Sequence, residues 1–368
     1  MINKRELILI TIILAFVFAA GVSFLQRHKS PVEFARAKVL HVEEDVDYAA
    51  AVKVGAQEVT LQILTGGLKG QVLKTTNRLR GDWQLDANLE AGDIASVALT
   101  PAAGGGISVS IVDHSRTGII YSLVILFLVL LLVFGHWHGL RTIIALTFTL
   151  AMIICILLPL ILSGWNPILA TVLTAVSASF VTMGVVTGLN EKALVASLGV
   201  SVGVVVAGAL GIAGGNLMKL SGATTGFEQM LYFAGHTNLS LRDIFYSGII
   251  ISSLGALMDV AIEMASALYE IRRRRPGIKM RELWESGMNI GRDVMGTMAN
   301  TLILVYTGAS MGLCLFFLAQ NTNLDRILNF NFVASEILRA LAGSVSLVIT
   351  IPVTAFLGSW LYVKKLGG

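Results

Sequence analysis

The chain has 368 residues, of which 55% are hydrophobic and only 14% charged, and its formal net charge is +4. An ordinary soluble domain carries about 25% charged residues, so the composition excludes that class and points to a chain that crosses a membrane several times. The basic balance does not indicate a nucleic-acid partner, because the Lys and Arg residues stand mainly in short loops between apolar runs, where topology accounts for them.

The first apolar run, LILITIILAFVFAAGVSFL from Leu7, follows Lys4 and Arg5 and reads as a retained membrane anchor within residues 1–29. A leader cleaved near Ala19, Ala20 and Gly21 would leave the next segment on the same side, outside the cytoplasm. Residues 30–115 differ from the rest. They are polar and carry alternating runs such as EVTLQIL, with Val59, Leu61 and Ile63 on one face, and ISVSIVD, with Ile107, Val109 and Ile111 on one face. Glycines 66, 67, 70, 81 and 92 punctuate about five strands, which predicts a small closed, OB-like β-barrel. His41 and His114 stand alone in it, so this domain reads as a cap or as a module that binds an envelope partner.

Seven further spans follow, at 118–134, 141–160, 167–188, 193–215, 243–271, 294–319 and 336–362, giving eight with the anchor. The loops that hold Arg141, Lys192, Arg272 to Arg275, Lys279, Arg281, Arg292, Lys364 and Lys365 then fall on one side. The positive-inside rule makes that side the cytoplasm and places both termini there. Residues 277–292, with Met280, Leu283, Trp284 and Met288 at helical spacing, read as an amphipathic segment at the cytoplasmic interface. The fold class expected is therefore a mainly α membrane protein of eight transmembrane helices, with a small extracytoplasmic all-β domain between helices 1 and 2 and a seven-helix domain over 116–368. Cys155 and Cys314 both lie within spans, so neither a disulfide framework nor a thiolate metal site is indicated.

The fifth span is crowded with Gly199, Gly203, Gly208, Gly211, Gly214 and Gly215, and Gly308 and Gly312 form another small pair. Such helices approach closely, either within one chain or across a homodimer. In the sixth span, Gly248, Ser252, Gly255, Ala256, Asp259, Glu263, Ser266 and Glu270 fall on one face at about 100° per residue, and Leu254, Leu257, Val260, Met264 and Leu268 fall on the other. This predicts a polar stripe turned to a packed interior or a wet cavity, with the opposite face toward lipid or apolar partners. In the seventh span, Asp293, Thr297, Asn300 and Thr307 share a face. The fourth and eighth spans add Thr171, Thr174 and Thr182, and Ser346, Thr350 and Thr354 beside a kink at Pro352.

An ionised Asp at the bilayer centre costs on the order of 2.5–3.5 kcal/mol, so Asp259 and Glu263 need compensation. Their proximity favours a shared proton or a bound cation, which suits a carrier or a conducting pathway. The plainer reading is that both acids are protonated or bonded to Asn300, Thr297 and serines and only join helices. His136 and His138 in HWH do not by themselves make a metal site. No nucleophile with a base, no P-loop, no HExxH and no dinucleotide fingerprint is present, so neither an enzyme nor a cofactor is expected.

GALMDVAIEMASALYEI, followed by SGMNIGRDVMGTMANTLILVYTG, resembles the paired signature of the YibE/F family of bacterial membrane proteins. GGLKGQVLKTTNRLRGD, LEAGDIASVAL, IVDHSRTG, HGLRTIIAL, LLPLILSGWNP and TGLNEKALVASLG extend the resemblance along the chain. It implies a multispanning protein of the bacterial plasma (inner) membrane and supplies no substrate. Carried over residue by residue, it favours Asp259, Glu270, Arg292, Asp293 and Asn300. Glu263 stands where the family pattern has a small polar residue, and DHSR departs from a more aromatic sequence.

The reading that results is a proton- or cation-coupled transporter or ion-conducting protein for a small ion or molecule. Its binding site would comprise Asp259, Glu263, Asn300, Thr297 and Ser252, and Glu270, Arg292 and Asp293 would lie toward a cytoplasmic gate. The alternative is a non-transporting envelope scaffold whose residues 30–115 bind a partner.

Overall fold

The computed structural model describes residues 12–13, 15–17, 19–20, 32–49, 52–82, 86–101, 107–224 and 226–365. It divides into two compact units, one of residues 25–133 and one of residues 1–24 with 134–368.

The first unit holds one antiparallel sheet of β1 (Glu33–Ala49), β2 (Val52–Ile63), β3 (Val72–Arg80), β4 (Ile94–Pro101) and β5 (Ile107–His114), in the order β3-β2-β1-β4-β5. The alternation in the sequence sets its inner face: Val59, Leu61 and Ile63 are almost fully buried, together with Ala37, Val39, Leu89, Ala95 and Val97. A register shift in β1 between Val39 and His41 inserts a bulge, which bends the strand and tightens its twist. The curl brings the two edge strands together, so that the Thr75 hydroxyl of β3 donates to the Val109 carbonyl of β5 at 2.6 Å. No backbone ladder joins these edges among the described residues, and the sheet is a half-barrel rather than the closed barrel that the strand spacing suggests.

Two polar side chains, Gln57 and Asn77, are buried in this unit among its described residues. Gln57 is fully buried, accepts from Asn77 Nδ2 at 2.9 Å and from the Leu89 amide at 3.2 Å, and donates to Glu44 at 2.9 Å, Asn88 at 3.1 Å and the Leu89 carbonyl at 3.1 Å. It thereby fastens the strandless segment 86–90 across β2. Such a network is stabilising because every member is satisfied.

Helix α1 (Thr117–Ala151) is interrupted at His136, whose φ of 46° and ψ of −123° leave the helical region, and the division between the units falls close by, at residues 133/134. A six-residue π-turn (Met152–Leu157) follows, then α2 (Leu158–Leu162), which contains Pro159. Proline lacks the N–H that an α-helix would use there, and the wider turn answers this locally, the Leu158 amide reaching back five residues to Ile153.

The remaining helices are α3 (Pro167–Thr187), α4 (Glu191–Leu217), α5 (Gly226–Phe233), α6 (Leu241–Arg274), α7 (Met280–Ala309), α8 (Met311–Ala319), α9 (Leu324–Leu328) and α10 (Asn331–Lys365). Asn166, Asn190 and Ser240 cap α3, α4 and α6 by accepting from the amides three residues on. The core runs between α4, α6, α7 and α10, with Val200, Val204, Leu257, Val260, Met264, Leu268, Leu283, Leu347 and Ile351 at its centre.

Among the described residues, five stretches are long and apolar enough to cross a membrane: Thr117–Leu162, α3, α4, α6 and α10. The pair α7 and α8, bent by 61°, makes a sixth. The spans expected at 118–134 and 141–160 thus form one helical stretch broken at His136. The anchor expected over 1–29 lies largely outside the described residues, and those described between Ile12 and Ala20 are helical, with Phe16 against Phe148 at 5.5 Å. Residues 280–292 and the first part of the seventh span, as far as Ala309, form one helix that stops at Ser310, and α10 continues through Pro352 without a break.

Candidate functional site

Helix α6 carries the acids, and its sequence fixes which way they point. Leu254, Leu257, Val260, Met264 and Leu268 are at most 3% exposed and fill the bundle core. The opposite face, with Ser252, Gly255, Asp259 and Glu263, is therefore open at the surface of the chain. Of the expected alternatives, the apolar side meets apolar partners rather than lipid, and the polar stripe does not face a packed interior. The physical reason is volume. The large apolar side chains interdigitate with α4 and α10, whereas a stripe of glycine, serine and alanine has little to bury.

Helix α7 packs antiparallel along α6. A Cβ added at Gly287 would lie 2.8 Å from Leu268, and one added at Gly291 would overlap Ile351 and touch Met264. Extended along both helices, this register places Asp259 level with Gly296 and Thr297, and Glu263 level with Arg292. The outer surface here is an open stripe of small residues, a furrow only in that glycines stand where larger side chains would. Gly248, Gly255 and Gly296 each face open space, and Thr297 and Asn300 are exposed.

The hydrogen bonds are local. The Ser252 hydroxyl donates to the Ile249 carbonyl at 3.0 Å, and the Thr297 hydroxyl to the Val294 carbonyl at 3.0 Å. Glu270 pairs with Arg274 at 2.8 Å, and Arg292 donates to Asn289 at 2.8 Å. Among the described residues no hydrogen bond or ion pair reaches the side chain of Asp259, Glu263, Asp293 or Asn300, and no group of three His, Cys, Asp or Glu side chains is placed to hold a metal.

The threonines and serines of the fourth and eighth spans lie apart from this furrow. Thr171, Thr174, Ser346, Thr350 and Thr354 are buried, and Gly199 and Gly203 of α4 leave just enough room for Thr354 and Thr350. Two polar regions therefore exist, an outer carboxylate furrow and an inner hydroxyl seam. The glycines of α4 are consumed within the chain, with Gly208 against Ile250, Gly211 against Ile249, Gly214 against Leu338 and Gly215 against Tyr246.

Two features escaped sequence reasoning. Arg272 is only 4% exposed, and its guanidinium donates to the carbonyls of Pro276 and Ile278, the latter at 3.2 Å, locking the turn between α6 and α7. The signal was present, because Arg272 continues the buried row of Leu257, Ala261, Ala265 and Leu268. Tyr362 is fully buried, donates to the Ala265 carbonyl at 3.1 Å and meets Tyr269 edge-on at 5.5 Å, while Lys192 lies 4.5 Å above the Tyr269 ring. This cluster ties α4, α6 and α10 together at the end where the basic residues gather.

A sequence profile described as YibE/F-like protein matches residues 123–364. The chain belongs to the YibE/F-like family. The match takes in every helix of the YibE/F-like bundle from α3 to α10 and leaves the β-sheet outside it. No curated protein matches the chain. No solved structure matches it either. Its apolar helices make this family member a membrane protein.

Proposed function

We propose that this YibE/F-like chain is a proton- or cation-coupled transporter, or an ion-conducting protein, of the bacterial plasma membrane, with Asp259 as its titrating or cation-binding group. In this reading it has eight spans and both termini in the cytoplasm. Its β-domain lies on the outside and is OB-like, and the adjacency of β3 and β5 supports the second of these. Glu263, Asn300, Thr297 and Ser252 complete the binding surface, and Glu270, Arg292 and Asp293 lie toward the cytoplasmic gate.

The observation that carries the reading is the open placement of Asp259 and Glu263 in a glycine-lined furrow with no partner of their own among the described residues. Turned to hydrocarbon, each ionised acid would cost on the order of 2.5–3.5 kcal/mol. The furrow is better placed against water or against a polar partner. A second copy of the chain is the simplest such partner, because a two-fold axis sets the same stripe against itself. The carboxylates gathered there favour a proton or a cation between them. The test is flux in proteoliposomes across a panel of cations and small organic ions. Asp259→Asn should fold normally and lose coupled flux, and an unchanged rate would remove Asp259 from the mechanism.

A second reading rests on the β-domain, whose own core and Gln57 network make it an independent module. As an envelope scaffold the protein would use this module to hold a partner, and the acids would only order the bundle. Removal of residues 30–115 separates the two, since a transporter keeps its flux and a scaffold loses its partner.

A further inference from the structure

The bend between α7 and α8 opens a second feature. At Ser310 the amide donates to Tyr306 and Thr307 at 3.1 and 3.2 Å, the α7 helix stops, and α8 leaves at 61°. Helix α8 therefore diverges from α10, braced through Phe317, whose ring meets Phe330 at 5.5 Å. The gap is a cavity of about 560 Å³ walled by all four helices from α7 to α10, with Thr307, Cys314, Phe317, Glu336, Ala340 and Leu341 among its lining. Its size falls within the roughly 300–1,000 Å³ of sites that hold small organic molecules. The Thr307 hydroxyl is turned back onto the Ile303 carbonyl at 2.8 Å, which leaves the wall apolar almost throughout.

Charge is confined to one end. Glu336 lines the cavity, and Arg339 lies 3.6 Å from it, stacked 5.5 Å from the Phe245 ring. The Arg339 Nε has no hydrogen-bond partner among the described residues. Glu336 precedes Lys364 by 28 residues of α10, about 42 Å of helix at 1.5 Å per residue. With Lys364 and Lys365 in one headgroup layer of a bilayer whose hydrocarbon is about 30 Å thick, Glu336 and Arg339 reach the opposite headgroup layer. Ala340, Leu341 and Cys314 lie just inside the hydrocarbon.

We infer that this cavity is a phospholipid site: one acyl chain enters between α8 and α10, and the Glu336 carboxylate at its rim meets the ammonium of a zwitterionic headgroup. The medium around these helices supplies the ligand, and Glu336, the one charged residue of the lining among the described residues, complements the ammonium of a zwitterion. The site is independent of transport and lies on α7 to α10 beyond the carboxylate furrow.

The experiment uses the full chain in vesicles of phosphatidylethanolamine and phosphatidylglycerol. These are doped with either lipid carrying a diazirine at the end of its acyl chain, and the adducts are mapped by mass spectrometry. Adducts from the phosphatidylethanolamine probe on residues 313–318 and 337–341 are expected about tenfold above those on Leu169 and Leu173, lipid-accessible positions of α3, a factor equivalent to roughly 1.4 kcal/mol. Ala340→Trp should fill the cavity and bring the labelling down to the α3 level, and Cys314→Trp serves if the first variant does not fold. Glu336→Gln should remove the preference for phosphatidylethanolamine over phosphatidylglycerol. Equal labelling of the cavity and α3, labelling that survives both tryptophans in folded protein, or equal use of the two probes by the unsubstituted chain overturns the assignment.

Discussion

At the residue scale, Arg272 and Glu44 show how far a charged side chain's type leaves its role undecided. In a run of four arginines Arg272 looks like one more topological charge, yet helical period places it on the buried row of α6, where it fastens the following turn. Hydrogen bonds from a charged donor are worth about 1.5–3 kcal/mol, so Arg272→Gln should lower the denaturant stability of the solubilised protein by an amount in that range. Arg273→Gln, exposed next to it, should change stability by less than about 0.5 kcal/mol, and equal losses would return Arg272 to a merely topological role. In the β-domain, the Lys53 ammonium and the Gln57 amide hold the Glu44 carboxyl below its ordinary value of 4.5. A carboxyl lowered in the folded state contributes stability that is complete above the unfolded value and is lost as pH falls through the folded one. Amide-exchange protection of β2 and of residues 86–90 should therefore hold down to about pH 4.5 and decline below it. In Glu44→Gln this step should vanish, and its persistence would assign it to another acid. Because Glu44 is partly exposed, solvent screening keeps the effect small.

At the element scale, the glycines separate into two sets that spacing alone does not distinguish. Gly203 sits where a Cβ would overlap Thr350 and Leu257, whereas Gly255 faces open space. Overpacking a filled core costs about 1–3 kcal/mol, so Gly203→Val should lower the thermal stability of detergent-solubilised protein measurably. Gly255→Ala should preserve it or raise it slightly through helix propensity. If both lower it alike, the α4 interface is not the tight one. Period and composition made the helices legible: five apolar stretches and the bent pair lie where hydropathy puts them. The alternation of Val59, Leu61 and Ile63 likewise gave the inner face of the sheet. The half-barrel edge, the π-turn at Pro159 and the break at Ser310 were not legible, because each depends on where backbone donors find acceptors across the fold rather than on residue class.

For the whole molecule, the decisive fact is that the carboxylate stripe belongs to the surface of a single chain. Sequence identified its residues correctly as one face of α6, but amphipathicity is symmetric: it says that two faces differ and does not say which one is inside. The packing resolves this, with Leu257, Val260 and Met264 in the core and Ser252, Gly255, Asp259 and Glu263 outside. An outer furrow of small residues with two acids is poorly suited to lipid and well suited to a close helix from a second copy. In such a pair, residues near the two-fold axis meet their own equivalents, and a disulfide forms only where Cα atoms come within about 7 Å. With Cys155 and Cys314 replaced by alanine, Ser252→Cys should therefore yield a cross-linked dimer on mild oxidation in membranes. Leu173→Cys, exposed on α3, should remain a monomer. Gly255→Leu, which fills the furrow without touching the core, should abolish the Ser252→Cys product and reduce ion flux with it. If the cross-link is absent, or forms equally at position 173, the furrow is not the contact between copies, and the water that Asp259 requires must reach it within one chain.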